Sequence, residues 1–483
     1  MLENIIKNKV AYLHGAIVLL LTFGIGFLPP VGEITPYGMK VLGVFVGLVY
    51  GWVFCGMAWP SLFAMVMLAF TGYGTVEAIF GEGFSNSSVQ LILWVFILVA
   101  FWDSTGFTRF VAEWSVSRKI CVGKPWIFTT IIMLVAVFLA AFTNGFATLA
   151  VCWSLGFKSC EVLGYKKDDK YVIVLLAGIT LMVCMSSTIM PFRTTAVLIN
   201  NLMKSGIGYG IASADWLIFQ LIFTAVTAIV FMLACKYIVK PDTSNFGLGK
   251  DIYEDLRNNK MSGPQKWAAA MLILFLFIVI LPSFFSKEIP FIAVLNKIGI
   301  IGGAALCLVI INFVKDKDGK AIAEIGTICT KGTNWNLILM LVASFPVASA
   351  FKSDAAGIVA TIMNVVTPVV SNMSPIVFIV SIVVIFGIVT QFTHNLVLML
   401  VFTPVFAQLC LTINFPPELF VIIFATTCCL AMVTPGSSAI GAMMHGNTDW
   451  VSGKNIYLSA TLTVLLAFAI LLLVGLPVGF LIW

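Results

Sequence analysis

Long apolar runs alternate with short polar interruptions along the chain, and two of the runs break at the same kind of polar knot. Phe142-Thr143-Asn144-Gly145 lies inside WIFTTIIMLVAVFLAAFTNGFATLAVCWSLGF, and Phe392-Thr393-His394-Asn395 lies inside IVFIVSIVVIFGIVTQFTHNLVLMLVFTPVF. The asparagines at 144 and 395 are 251 residues apart, about half of the 483-residue chain. Each knot is followed by a second interrupted run, STIMPFRTT around Pro191 and AMVTPGSSA around Pro435. Other apolar runs lie near 11–28, 38–55, 58–72, 88–106, 213–238, 267–283, 294–313, 335–352 and 455–482, with interrupted ones at 171–200 and 418–444. Most are of a length to cross a hydrocarbon layer of about 30 Å as helices. The stretches 125–160 and 374–413 are too long for one helix, so each predicts either two spans or one re-entrant hairpin.

Composition agrees with a protein built in lipid. Hydrophobic residues make up 60% and charged residues 10%, against about 25% charged in soluble domains. Lys7 and Lys9 precede AYLHGAIVLLLTFGIGFLPP, which superficially suits a signal peptide. No small-residue cleavage site precedes Pro29 and further spans follow at once, which predicts a retained first helix. The eleven cysteines form no CxxC pair and read as small core residues.

Charge separates spans from hairpins. Arg118, Lys119 and Lys124 precede the first long stretch, and Lys158, Lys166, Lys167 and Lys170 follow it. Positive residues gather on the cytoplasmic side, so this stretch is expected to enter and leave on that face. The second stretch has feet almost free of positive charge, SNMS and NFPPE, and is expected to enter from outside. The same rule places the N-terminus inside, Glu77 and Glu82 outside, the linker carrying Lys240, Lys250, Arg257, Lys260 and Lys266 inside, and the C-terminus outside. The expected organisation is a first helix over 1–37 and a first repeat over 38–238, with hairpin 125–160 and broken helix 171–205. A cytoplasmic linker over 239–266 leads to a second, inverted repeat over 267–483, with hairpin 374–413 and broken helix 418–446. LILWVFILVAFWDSTG at Leu91 and LILMLVASFPVASAFKSDAAG at Leu337 match faintly across the repeats. The fold class is therefore an all-α polytopic membrane protein of about 11 transmembrane helices, two re-entrant hairpins and two unwound helices, divided into a scaffold and a transport domain.

Paired breaks at matching positions of two halves point to the substrate site of a secondary transporter. Half-helix N-termini attract anionic groups and freed carbonyls at C-terminal ends bind small hard cations. Thr143, Asn144, Thr393 and Asn395 are candidates on this ground, although polar residues in spans also serve helix–helix packing. At Gly145 the tip gains free dihedrals. Pro191 predicts an unwound stretch through Ser186, Ser187, Arg193 and Thr194; Thr434, Pro435, Gly436, Ser437 and Ser438 form its counterpart. Arg193 reads in two ways: a fork gripping a carboxylate, or a side chain snorkelling to the interface. His394 reads as a titrating or substrate-contacting group, or as a cap; Asp103, near a span end, as solvated or paired. Gly43, Gly47 and Gly51 make a small-residue stripe for close helix packing, within one subunit or between two. No HExxH, GxSxG, Walker or GxGxxG pattern suggests an enzyme.

In this layout the chain resembles the divalent anion/sodium symporter family of the ion transporter superfamily, over roughly residues 38–483. Members carry Ser-Asn-Thr at the tips of an inward and an outward hairpin; the matching positions here read Thr143-Asn144-Gly145 and His394-Asn395-Leu396. The family's Thr-Pro-Pro-Asn after the second hairpin reads Thr434-Pro435-Gly436-Ser437. The resemblance implies an elevator-type, sodium-coupled homodimer of the plasma membrane that moves a di- or tricarboxylate or sulfate. Substrate would be held by Thr143, Asn144, Gly145, Arg193, Thr194, His394, Asn395, Thr434, Pro435, Gly436 and Ser437. Sodium would be held, largely through carbonyls, by Thr143, Asn144, Ser186, Ser187, Thr393, Asn395 and Thr434. The partners expected are the anion, sodium ions and the bilayer, with no other cofactor and no nucleic acid. Proton-coupled carriers or exchangers of the same superfamily, of arsenite or sodium/proton type, are the alternative within transport; an ion channel is the alternative from another class.

Overall fold

The computed structural model describes residues 2–248, 253–286, 288–315, 319, 321–370, 373–393 and 395–483. His394 lies outside the described residues. Among the described residues the regular elements are all helices, apart from one isolated bridge between Lys315 and Ala321, and ten helical segments are long and apolar enough to cross a membrane.

After α1 (Leu2–Gly26) come α2 (Pro36–Phe54), α3 (Ala58–Phe70), α4 (Val76–Ser85), α5 (Ser87–Ser104) and α6 (Phe107–Val116). Two antiparallel legs follow, α7 (Pro125–Phe142) and α8 (Gly145–Val162), then α9 (Lys170–Ile189), α10 (Thr194–Ile207) and α11 (Ser213–Ala234). The linker holds the single turn α12 (Glu254–Arg257). Beyond it run α13 (Gly263–Ile280), α14 (Pro290–Phe313), α15 (Ile325–Gly332), α16 (Trp335–Lys352) and α17 (Ile358–Val370). The closing elements are α18 (Pro375–Val389), α19 (Asn395–Thr412), α20 (Pro417–Cys429), α21 (Ala439–His445), α22 (Gly453–Ile470) and α23 (Leu476–Ile482). In chain order, α2 to α11 and α13 to α22 present the same succession of elements. Both α11 and α22 run into a π turn, Cys235–Val239 and Leu471–Gly475.

Local chemistry sets these boundaries. Prolines open α2, α7, α14, α18 and α20, where the missing N–H costs nothing. Thr35, Asn86, Asn144 and Ser374 cap N-termini through side-chain oxygens, and Ser262 with Gln265 forms a capping box. The most enclosed elements, α9 and α20, are buried almost all round, as befits helices that are apolar on every face. The glycine stripe works within the subunit: a methyl on Gly43 would sit 2.5 Å from the Thr22 carbonyl oxygen, and one on Gly47 would collide with Thr22 Oγ1. The stripe thus seats α2 on α1.

The 125–160 stretch is a hairpin rather than one continuous helix, turning at Thr143-Asn144 between two 18-residue legs. Its tip lies beside the break between α9 and α10, where Arg193 reaches Thr143 O. The linker is strapped to its base. Phe246 and Tyr253 are buried there beside Phe128, and Tyr253 bonds Ser159 and the Leu155 carbonyl. The turn after α8 is clamped to the start of α22. Asp168 N–H donates to Trp450 O (3.0 Å), and its carboxylate accepts from Ser452 N–H (2.7 Å) and the Asn455 amide (2.9 Å). Those two donors hold the Asp168 carboxyl below the usual carboxylate range.

Topology is open to a direct measurement. In a low-cysteine background, cysteines at Lys124 and Lys166 are expected to resist an impermeant thiol reagent added outside, and one at the exposed Asn414 to react. Labelling of Lys124 and Lys166 from opposite faces would overturn the hairpin's cytoplasmic entry.

Candidate functional site

At the first tip, Thr143 ends α7. Its N–H (2.6 Å) and its hydroxyl (2.7 Å) both reach Leu139 O, and the hydroxyl lies 3.3 Å from Thr148 Oγ1. Asn144 caps α8, its Oδ1 accepting from Phe146 N–H (2.9 Å) and Ala147 N–H (3.4 Å). Its amide NH2 makes no hydrogen bond among the described residues. Gly145 is the first residue of α8 and does not adopt positive φ, so the turn does not draw on the conformational freedom expected of it. The tip joins the negative end of one helix dipole to the positive end of another.

The first break spans four residues. Met190, before proline, is extended (φ −87°, ψ 131°). Ser186 and Ser187 are not unwound, contrary to expectation: both remain in α9, their hydroxyls donating 2.6 Å bonds to Val183 O and Cys184 O. Pro191 disturbs only the backbone around itself, and small hydroxyls satisfy themselves on the preceding turn. Thr194 is the first residue of α10, and Arg193 occupies the N-cap position without a side-chain capping bond.

Arg193 does not snorkel. Its Nη1 donates to Thr143 O at 3.1 Å, tying the break to the hairpin tip. Among the described residues the one ion pair is Arg109–Glu113, so no carboxylate accompanies Arg193. A second cation about 4 Å from this guanidinium would meet repulsion of roughly 4 kcal/mol at an effective dielectric near 20. Beside it an aromatic row, Phe138, Phe142, Phe192, Phe275 and Trp102, runs from the tip to α13 and α5 with centroid spacings of 5.1, 6.4, 5.2 and 6.2 Å.

The second tip is built differently. α18 ends at Val389, and five residues, Thr390 to His394, separate it from α19, against two at the first tip. Phe142 is therefore the last residue of a helix and 6% exposed, whereas Phe392 lies in the turn and is 70% exposed. Asn395 is the first helical residue of α19, not its cap, and its Oδ1 accepts from Leu396 N–H at 2.8 Å. Phe-Thr opens both knots, but asparagine follows at once in the first and one residue later in the second, and their places on the hairpins differ. Thr393 lies in the turn, its N–H donating to Val389 O.

Gln391, which the motif reading passes over, organises this region. Buried, it donates from Nε2 to Gly387 O (3.0 Å) and Leu430 O (2.9 Å), and its Oε1 accepts from Met432 N–H (3.2 Å) and Val433 N–H (3.0 Å). Thr434 Oγ1 donates to the Gln391 carbonyl. The second break runs from Leu430 to Ser438, and neighbouring side chains meet its loose carbonyls. Thr390 donates to Cys428 O, Ser438 to Ala431 O, Ser437 to Thr434 O, and His445 Nε2 lies 2.9 Å from Val433 O. Pro435 and Gly436 are exposed and Ser437 is buried. A glutamine inside an apolar run was the available signal, since a buried amide must find partners.

The two broken helices join at the centre. Gln220 of α11 takes Thr188 Oγ1 at 3.3 Å and donates to Thr426 Oγ1 at 2.8 Å; Cys429 Sγ reaches Thr195 Oγ1 at 3.8 Å. Two cavities of about 310 and 300 Å³ lie along α10, a size suited to a small ligand. One touches the first break at Pro191, the other is lined by Lys204 and Lys352, and Asn201 borders both. The Asn201 side chain makes no hydrogen bond among the described residues. None of the tip residues lines either cavity.

The sequence profile of the citrate transporter family matches residues 45–396, from within α2 to the second tip. The chain belongs to the citrate transporter family. No curated relative matches the sequence. Among solved structures, the YdaH transporter of Alcanivorax borkumensis, whose description notes an unusual topology, aligns with a TM-score of 0.59 and 13% identity. That alignment covers 92% of this chain and 97% of the other, and at this identity it is a likeness of fold. The family resemblance read from the hairpin tips therefore holds: this citrate transporter family member is a multi-pass membrane protein and a secondary transporter.

Proposed function

We propose that this family member is a secondary active carrier that moves a small carboxylate anion of citrate's class together with sodium. The observation that carries the reading is the presence of unspent donors and half-helix N-termini at each hairpin tip and at the first break. α8 and α19 begin at the tips and α10 at the first break, each presenting N–H groups to an anion. Donors not used internally are the Asn144 amide NH2 and four of the five guanidinium N–H groups of Arg193, beyond the one bonded to Thr143 O. Asn201 offers a further amide along the approach. The substrate is thus assigned to Thr143, Asn144, Gly145, Arg193 and Thr194 from the first half, with His394, Asn395, Thr434, Pro435, Gly436 and Ser437 from the second.

Sodium is assigned to the carbonyls beside Thr393, Asn395 and Thr434. The groups meeting that region's carbonyls are mainly hydroxyls and an amide, and each carbonyl keeps a second lone pair for an ion. The hairpins and broken helices, with α22 clamped to the turn after α8 through Asp168, would move as one transport domain against the other helices in a homodimer of the plasma membrane. An elevator motion of this kind carries the tips across without opening a continuous pore.

The test is uptake by proteoliposomes of labelled citrate, with succinate and sulfate as competitors, under an imposed sodium gradient. Citrate accumulation is expected, abolished when choline replaces sodium at fixed pH. Each sodium entering down about 100 mV contributes roughly 2.3 kcal/mol of driving force. Accumulation that follows a proton gradient without sodium would overturn the coupling and leave the carrier.

A further inference from the structure

We propose that Arg193 is a built-in cation that stands in place of a coupling ion at the first hairpin tip, so that sodium acts only through the second half. The inference rests on the sodium-coupled reading and narrows it. By construction the last carbonyls of α7 have no partner within their own helix and form the negative end of its dipole. In the first half this is where a small hard cation would bind. The guanidinium of Arg193 already occupies the place, bonded to Thr143 O at 3.1 Å.

The two halves differ in the charge of what meets their carbonyls. In the second half, Thr390 meets Cys428 O, Gln391 meets Leu430 O, Ser438 meets Ala431 O and Thr434 meets the Gln391 carbonyl. These groups are neutral, so they satisfy hydrogen bonding and leave the electrostatic demand of a helix C-terminus standing. Arg193 satisfies both. No described carboxylate pairs with it, so its full charge is directed at the tip.

The local structure keeps it there. Arg193 stands at the N-cap position of α10 and its N–H bonds Met190 O at 3.0 Å, fixing the backbone from which the side chain reaches. Phe142 and Phe192 stack beside it at 6.4 Å and keep the tip's flank apolar. Of the remaining sodium candidates of the first half, Ser186 and Ser187 are turned onto their own helix and offer no unwound carbonyls, and the Asn144 carbonyl accepts from Thr148 N–H at 3.0 Å. A mobile ion in this half would have to displace a tethered one. Arg193 moves with the transport domain in both directions and so contributes charge to the anion without contributing to coupling.

The experiment is the order of citrate uptake in external sodium, measured in proteoliposomes at constant ionic strength with choline as balance. Wild type is expected to show a Hill coefficient of about one, Arg193→Lys about one, and Arg193→Ser a value approaching two, because the freed carbonyl becomes a second ion site. A wild-type coefficient near two overturns the inference while leaving sodium coupling intact. So does an active Arg193→Ser carrier whose coefficient stays at one. Sodium-independent uptake by wild type instead sinks the coupling reading; the inference then stands only if Arg193→Ser acquires sodium-stimulated uptake, and falls otherwise. If Arg193→Ser does not fold, or folds without transporting because the anion has lost this guanidinium, wild type and Arg193→Lys decide: order one in both supports the inference, and order two in either overturns it.

Discussion

Replacing Gln391 by leucine is expected to abolish uptake and to lower thermal stability in the same variant. The substitution keeps approximate volume and removes a side chain that meets four backbone groups at 2.9–3.2 Å. Gly387 O and Leu430 O lose a donor, and the N–H groups of Met432 and Val433 lose an acceptor. Leaving one buried polar group unsatisfied costs about 1–3 kcal/mol. Even with relaxation, a loss of roughly 3 kcal/mol or more is expected for four. The functional effect should exceed the stability effect. Met432 and Val433 belong to the unwound segment between α20 and α21, whose path depends on those bonds. Gln391→Glu separates the contributions: it retains an acceptor for the two N–H groups and turns a carboxylate toward the two carbonyls. It should recover part of the lost stability if the N–H bonds dominate, and still fail to transport an anion. Wild-type uptake and melting temperature in Gln391→Leu would show that the break holds its shape without this residue.

That residue marks where the sequence was legible and where it was not. Both knots stand out because polar side chains interrupt runs that are otherwise apolar, and at membrane depth such interruptions need protein partners. The breaks were equally visible, because Pro191 and Pro435 interrupt apolar runs. Register was not visible. Aligning Phe142 with Phe392 is natural by letter, yet helix ends align Phe142 with Val389, because the second turn is three residues longer. Turn length depends on what the turn packs against, here the second break held by Gln391, and a local pattern does not encode it. The short helices α4, α6, α15 and α17 were missed for a related reason: at 8 to 13 residues they are too short to announce themselves as spans. Arg193 was legible as unusual but not in its role. Its sequence neighbours fit both a snorkelling and an inward side chain, and only the placement of Thr143 O, fifty residues earlier, separates them.

Asn144 is expected to give the sharper test of the site itself, through a comparison of Asn144→Ala with Asn144→Ser. The side chain has two possible duties. Its Oδ1 caps α8 through Phe146 and Ala147, and its NH2 is unspent among the described residues. Alanine removes both; serine restores the cap, since serine ranks with asparagine at this position. The cap is worth about 1 kcal/mol, so alanine should lower the melting temperature and serine should return most of it. If the amide NH2 binds the anion, serine should not rescue uptake: both variants should lose about 100-fold or more in transport efficiency, equivalent to roughly 2.8 kcal/mol. The loss should appear as weaker apparent affinity for citrate at unchanged expression. Asn144→Asp adds a further arm, because it caps as well as asparagine and places a negative charge where the anion would sit. It should therefore be the most stable of the three and the least active. An Asn144→Ser carrier with wild-type affinity would assign Asn144 to the architecture of the tip alone. The anion would then be held by Arg193 and the helix N-termini, without the side chain at the centre of the first knot.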